Sequence, residues 1–579
     1  MSRALAPQAT ARIARVLLAA GWIGALTCAR LSAQVLTPTL PSIGGQFGKA
    51  LAHRGDLLVV GAPRDSAMGN AAGAVHVYRK SGGRWLFEAR LVASNAEAER
   101  AFGRAVATDG VRIAATSPWE PASAGRFGAA HLFEWDGVAW SEVALLEADV
   151  LEAGDGFGAS VALDGERLVV GAPASDRVAL DAGVVHTYVA PLPSAAGGPV
   201  LHVGTYAAAS VGLSDGFGWS LALEGARLAV GAVRDDDGDV NAGALHLATW
   251  TPTVSGGWQD EAKLLAAQPM RESNLGTSVS ISGDLVVGGA PGSSEAAPGA
   301  GSAWVFERLG GAWFPRELLL APDPAAFDAF GIGVGVDGQR VLVGASHADV
   351  HGVDSGKAYV FERSAVTFAH AGTIEPWVGA AADYFGLAVA LGDTHGFIGA
   401  FGDDRAGNLA GSVHVYDVAA LGAPWARPFC FCPQGASCGN LDLDAGCNNS
   451  TGHGASFEWW GSPSIAAADL GLAVRDLPAH AAAIVFLGDG AGSLYLTDGR
   501  ICVGSGGLGV FRTAPMYADA AGALLVATDL AGRADLALAG VGGLAAGQTW
   551  NFQAWYRDLN SLCGGGANAS SALAVTFAP

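Results

Sequence analysis

Three groups of residues in this chain have types and spacings that could do chemistry. Histidine recurs at His76, His131, His186, His246 and His414, with Trp304 and Tyr359 filling the matching places in two further segments. Repeated imidazoles invite a shared metal centre. Asp235, Asp237 and Asp239 alternate through Asp235-Asp236-Asp237-Gly238-Asp239, with Asn241 next, as the ligands of a calcium loop can. Calcium takes six to eight hard oxygens, but this loop lacks the Gly at its sixth position and the Glu at its twelfth. A solvated acidic loop is the competing reading. Asp403-Asp404 and the pair Asp349 and Asp354 are weaker versions of the same idea. The third group is Cys430, Cys432, Cys438, Cys447, Cys502 and Cys563. Six cysteines gathered at one end of the chain point to disulfides if the chain is exported, with 15 pairings open. Zinc held by the first four is disfavoured, because they lack paired Cys-x-x-Cys spacing. No Gly-x-Ser-x-Gly elbow, His-Glu-x-x-His or phosphate loop stands out, and no catalytic residue is assigned.

The elements that must position these residues are set by a repeat. A Phe-Gly pair, once Leu-Gly, begins at Phe47, Phe102, Phe157, Phe217, Leu275, Phe330 and Phe385, in steps of 55, 55, 60, 58, 55 and 55 residues. Self-similarity at that period signals a repeat architecture. Each period holds four short β-branched or aromatic runs bounded by Gly, Pro, Asp or Ser, and no helical period persists. Four strands per repeat, seven times over, predicts an all-β chain with a seven-bladed β-propeller. The seventh repeat lacks a fourth strand, and Val35–Leu40 is predicted to supply it, removing an exposed edge.

The links are unequal. First and second strands are joined by tight turns such as Asp109-Gly110, Asp164-Gly165, Glu224-Gly225 and Asp337-Gly338, a hairpin signature. Second-to-third links (63–73, 173–183, 233–243, 401–411) and the links entering each Phe-Gly are long. In an up-and-down blade both long types emerge on one face, where binding residues concentrate. Third strands sit about 10 Å outside the innermost strand. Equivalent histidines therefore lie too far apart to share a metal with bonds of about 2 Å, and packing between blades is their expected role. Asp155, Asp215, Asp328 and Asp383, each two residues before a Phe-Gly, are expected to bond backbone N–H groups in turns.

The seven Phe-Gly pairs, with Gly61-Ala62-Pro63, Gly171-Ala172-Pro173 and Gly289-Ala290-Pro291, resemble the FG-GAP repeats of integrin α subunits and many exported bacterial proteins. The likeness spans roughly 35–418. It implies a seven-bladed propeller with a part in adhesion or ligand binding, and leaves the ligand open. The chain departs from integrins at the calcium loops. The family pattern Asp-x-Asp-x-Asp-Gly-x-x-Asp belongs between first and second strands, where this chain has only tight turns.

Residues 1–33 read as a signal peptide: Arg3, Arg12 and Arg15 precede the apolar stretch Val16–Thr27, with cleavage expected after Ala33. The stretch is short for a membrane span. The expected domains are this leader, the propeller over 34–424 (34–46 closing its last blade), and a disulfide-bonded β-sandwich over 425–579. Around its cysteines and Gln553–Arg557, that last part resembles a C-terminal module of exported planctomycete-type bacterial proteins. The net charge of −21 excludes a general nucleic-acid binder, which needs basic surface. The expectation is a secreted, surface or periplasmic monomer without a transmembrane span. It presents an acidic loop face to an extracellular protein or glycan, with calcium as the one candidate cofactor and no enzymatic activity. A polysaccharide lyase or hydrolase using loop carboxylates, and a structural envelope protein, are the alternatives.

Overall fold

The computed structural model describes residues 34–576 apart from 82–83, 119–127, 151–153, 192–198, 253–256, 365–366, 377–378, 393, 419–425, 430–448, 452–453, 461–470, 497–498, 505–509, 521, 528–547 and 560–566. The expected leader and five of the six singled-out cysteines, all but Cys502, lie outside the described residues. Among the described residues the regular elements are strands, without an α-helix, and no helix is long and apolar enough to cross a membrane. The chain divides into two compact units, Ser32–Pro424 and the part carrying Trp425–Pro579.

The first unit is built from four-stranded antiparallel sheets, seven of them among the described residues. Ala50–Arg54, Leu57–Ala62, Ala74–Ser81 and Arg84–Leu91 make the first. The next five begin at Val106, Ser160, Phe217, Ser278 and Phe330. The last joins Val389–Leu391, His395–Ala400 and Ser412–Asp417 to Gln34–Leu36, whose Val35 lies opposite His414. Sequence pattern follows position in the sheet. Second strands are covered on both faces, and all six residues of Leu57–Ala62, an unbroken apolar run, are buried. Fourth strands alternate, as Trp140–Leu146 does, because one face meets solvent.

Each sheet's first strand touches the first strand of the sheet before and after it, and Val389–Leu391 touches Ala50–Arg54, so the circuit closes. This is a propeller-like repeat architecture. Glycine sets its spacing. The Gly61 of Gly-Ala-Pro has the carbonyl of Gly103, in the next sheet, against it: a Cβ at Gly61 would lie 2.1 Å from that oxygen. The same approach joins Gly399 to Gly48 across the closing seam. Gly103 itself has φ of +85°, where an L side chain is strained.

The second unit contains a sheet that includes Ala426–Phe429, Ala482–Gly488, Thr549–Arg557 and Ala567–Thr576, and a smaller one of Ser456–Trp460, Gly471–Arg475 and Leu524–Ala527. Both feed one core, in which Leu472, Val474 and Val526 meet Val485, Trp550, Phe552 and Leu573.

Candidate functional site: the long-loop face

The long links pair with one another. Amides of the link entering a Phe-Gly donate to carbonyls of the preceding sheet's second-to-third link: Glu99 to Asn70, Ala101 to Ala71 and Phe102 to Ala72. The same ladder runs from Ser214, Gly216 and Phe217 to Leu180, Asp181 and Ala182, and from Gly44, Gln46 and Phe47 to Asn408, Leu409 and Ala410. Both long link types thus lie on one face, and backbone pairing holds them. Asp215, Asp328 and Asp383 sit in the turns just before Phe-Gly. Their carboxylates accept the N–H of Gly212 (2.6 Å), Ala325 (2.9 Å) and Ala380 (2.7 Å). Burial, then the charge of Asp403, lifts the Asp383 carboxyl to about 6.

Beneath this face the histidines lie on the sheet surface turned to the preceding blade: His131 pairs with Ala115, and His76 with Val60, both in clusters shared with the sheet before. The rings of His76, His131, His186, His246 and His414 meet the Phe of the same repeat edge-on, with centroids 5.1–5.3 Å apart. The Phe bridges to a Gly of the preceding sheet, so each Phe–His pair lies in the layer between the two sheets. Three of these histidines cover a buried aspartate, with Asp65–His76 at 3.8 Å, Asp235–His246 at 3.6 Å and Asp403–His414 at 3.9 Å. A cation completes each cluster: Arg90 at 2.7 Å, Lys263 at 2.5 Å and Arg405 at 3.1 Å. Burial by itself would raise the Asp65 carboxyl. His76, the Ala67 N–H and Arg90 outweigh it and hold it at about 2. Burial lowers His414 to about 4.

The predicted calcium residues fall into this scheme. Asp235 is buried and Asp237 exposed, and the Lys263 ammonium lies 2.5 Å from a carboxylate oxygen of each. Asp239 accepts the N–H of Val240, and the neighbouring Asp236 accepts that of Asn241. The chain supplies its own cation here, and a calcium ion would have to displace Lys263. In the third repeat Ser175 replaces the buried aspartate. There Asp149, His186 and His202 bring one ligand atom each within 4.8 Å of one another. Arg177 occupies both oxygens of that carboxylate, at 2.5 and 3.2 Å.

A cavity of about 650 Å³ opens on the long-loop face where the first two repeats meet. Its charged lining is Lys49, Arg64, Arg104 and Glu99, so the expected acidic face is locally basic. Gln46 and Asn70 add neutral polar groups. Sequence reasoning missed this cavity, the aspartates Asp65 and Asp403 as cluster members, and Asp149. The first pair was signalled: Asp65, Asp235 and Asp403 each precede the repeated His by 11 residues. Asp149 comes from a link, where no spacing marks it.

The closed circuit of four-stranded sheets, with its long links on one face, defines a propeller-like repeat protein. Residues 33–78, 140–188, 207–248, 258–306, 313–361 and 371–416 match the FG-GAP repeat family, and the chain is an FG-GAP repeat protein. Most matched segments open on the fourth strand of one sheet and end on the third strand of the next, as 140–188 does. No curated protein matches the chain. Among solved structures, one from Bacteroides fragilis with the provisional name 6-phosphogluconolactonase is similar over 56% of this chain and 82% of its own, at 13% identity and a TM-score of 0.38. A likeness of that size carries nothing about activity.

Proposed function

We propose that this is an exported, non-enzymatic binding or adhesion protein. In this reading a seven-bladed propeller presents its long-loop face to an extracellular protein or glycan, and a disulfide-bonded β-sandwich follows. The observation that carries the binding role is the cavity on that face, bounded by links of two adjacent repeats. Ligand sites favour such concave places, where a few polar groups converge. Exposed apolar side chains lie on the same class of link: Ile43, which lines the cavity, is 81% exposed, and Phe327 and Leu213, in links of other repeats, are 72% and 65% exposed. Cys502, buried and disulfide-bonded, supports the sandwich reading.

The hydrolase alternative needs free carboxylates. The loop acids nearest to that role are already engaged, Asp383 in its turn and Asp403 with Arg405 and Ser412. The test is retention of the full chain on arrays of glycans and extracellular-matrix proteins, beside Ile43→Asp and Phe327→Asp. Retention that falls at least tenfold in the variants, with unchanged Tm, supports the reading. Release of product from a polysaccharide panel would replace it with the enzymatic one.

A further inference from the structure

Lys49 and Arg104 are shielded cations without a counter-charge. Neither has a carboxylate at ion-pair distance among the described residues, although the chain carries 54 acids against 33 bases. Burial, then the nearby Arg104, pulls the Lys49 ammonium down to about 8, and burial also lowers Arg104. Among the described residues, the Lys49 ammonium rests on the face of Phe401, whose ring centroid is 3.8 Å away. The three Asp–His–cation clusters, by contrast, set opposite charges against one another. Two like charges held together without a partner are costly, and that cost is relieved when an anion enters.

Their placement is not incidental to the repeat. Each follows a Phe-Gly pair, and the corresponding residues of the other repeats are Ala159, Trp219, Thr277, Ile332 and Leu387. The repeat therefore does not require a cation at this position. Both cations line the same cavity, whose volume falls within the range of small-molecule sites.

We propose that the Lys49–Arg104 cavity is an anion subsite that takes a carboxylate-bearing sugar residue at the end of a glycan. The guanidinium offers a planar fork for the carboxylate and the ammonium a point charge. Gln46 and Asn70 offer donors and acceptors for ring hydroxyls. The strongly negative remainder of the chain repels extended polyanions, which restricts the site to a single acidic unit. This inference rests on the binding reading above.

The experiment is calorimetric titration of the full chain with a glucuronate-terminated disaccharide and its glucose-terminated counterpart. Lys49→Met and Arg104→Met are run alongside, each keeping the apolar stem. The acidic probe should bind at least tenfold more tightly than the neutral one, and each variant should lose at least tenfold. Affinity should decline as pH rises past 8. Arg64, Arg104 and Glu99 are the other charged groups of the cavity, and the decline should vanish in Lys49→Met. Without any ligand, Lys49→Met should hold or raise the Tm, because it removes a like charge beside Arg104. Equal binding of the two probes, or unchanged binding in both variants, overturns the inference while leaving a neutral-glycan binder standing. A lower Tm in ligand-free Lys49→Met would show a structural cation and would also overturn it. If the chain retains no glycan or protein on the arrays, both readings fall.

Discussion

Lys263 does the work that an ion was expected to do. Its ammonium holds Asp235 and Asp237 together, and Asp235 is almost wholly buried. Lys263→Ala should cost about 3 kcal/mol, because it strands a buried carboxylate. Millimolar calcium should then raise the Tm of the variant and leave that of the parent chain unchanged, which calorimetric scans with and without calcium would read. A variant whose Tm ignores calcium would make the loop a charge cluster and nothing more. At this scale the sequence was partly legible. The alternation at Asp235, Asp237 and Asp239 marked a real cation-holding place, but the cation comes from a fourth strand 26 residues on from Asp237, and no local pattern reveals that. The exchange of Phe and His for Leu275 and Trp304 in the fifth repeat was visible as two separate departures. Their placement in one buried cluster makes them a single compensated change, a smaller aliphatic side chain with a larger ring.

At the scale of the element, the second strands and the Phe-Gly turns are one joint. Gly61 sits where the next sheet's backbone passes too close for any side chain. Gly61→Ala should destabilise the first unit by about 1–3 kcal/mol, the range for forcing a methyl into a packed place. Urea unfolding followed by tryptophan emission would measure it, with Gly165→Ala, whose Cβ would meet open space, as a control that isolates the cost of positive φ (+54°). The strands themselves were legible because hydrophobic runs, Asp-Gly turns and a constant period all agreed. The cavity was not. It is formed where links of adjacent repeats meet, and the two cations in it look like any surface Lys and Arg until their neighbours are known.

Over the whole molecule, buried histidines give stability a pH slope. His186, His395 and His414 are lowered to about 4, mainly by burial, against about 6.5 in an unfolded chain. Between pH 4 and 6.5 the unfolded chain takes up protons that the folded one refuses, so stability present above 6.5 is lost on acidification through that window. Asp383, raised to about 6, acts in the opposite sense: its contribution is full below its unfolded value near 3.8 and is lost as pH rises through 6. His76 and His202, also lowered by burial, add to the loss, and Asp215, Glu295 and Asp328, also raised, oppose it. The histidines, whose unfolded value lies inside the window from pH 7 to 5, leave a net loss in acid. The Tm of the first unit should fall by several degrees from pH 7 to pH 5, and His414→Phe should flatten that fall. A profile level from pH 7 to pH 5 would show these imidazoles to be accessible to protons. The all-β repeat organisation was plain from the period alone.

The strand Gln34–Leu36 has a further consequence, which concerns time. Its hydrogen-bonding partner lies roughly 380 residues along the chain, so the first segment of this unit to be made is the last to find its place. Contacts of such sequence separation slow folding. Until Ser412–Asp417 exists, every partial product ends in an unpaired strand edge, open to pairing with another chain. The seam between the two ends therefore acts as a check on completeness, since only a finished circle is free of sticky edges.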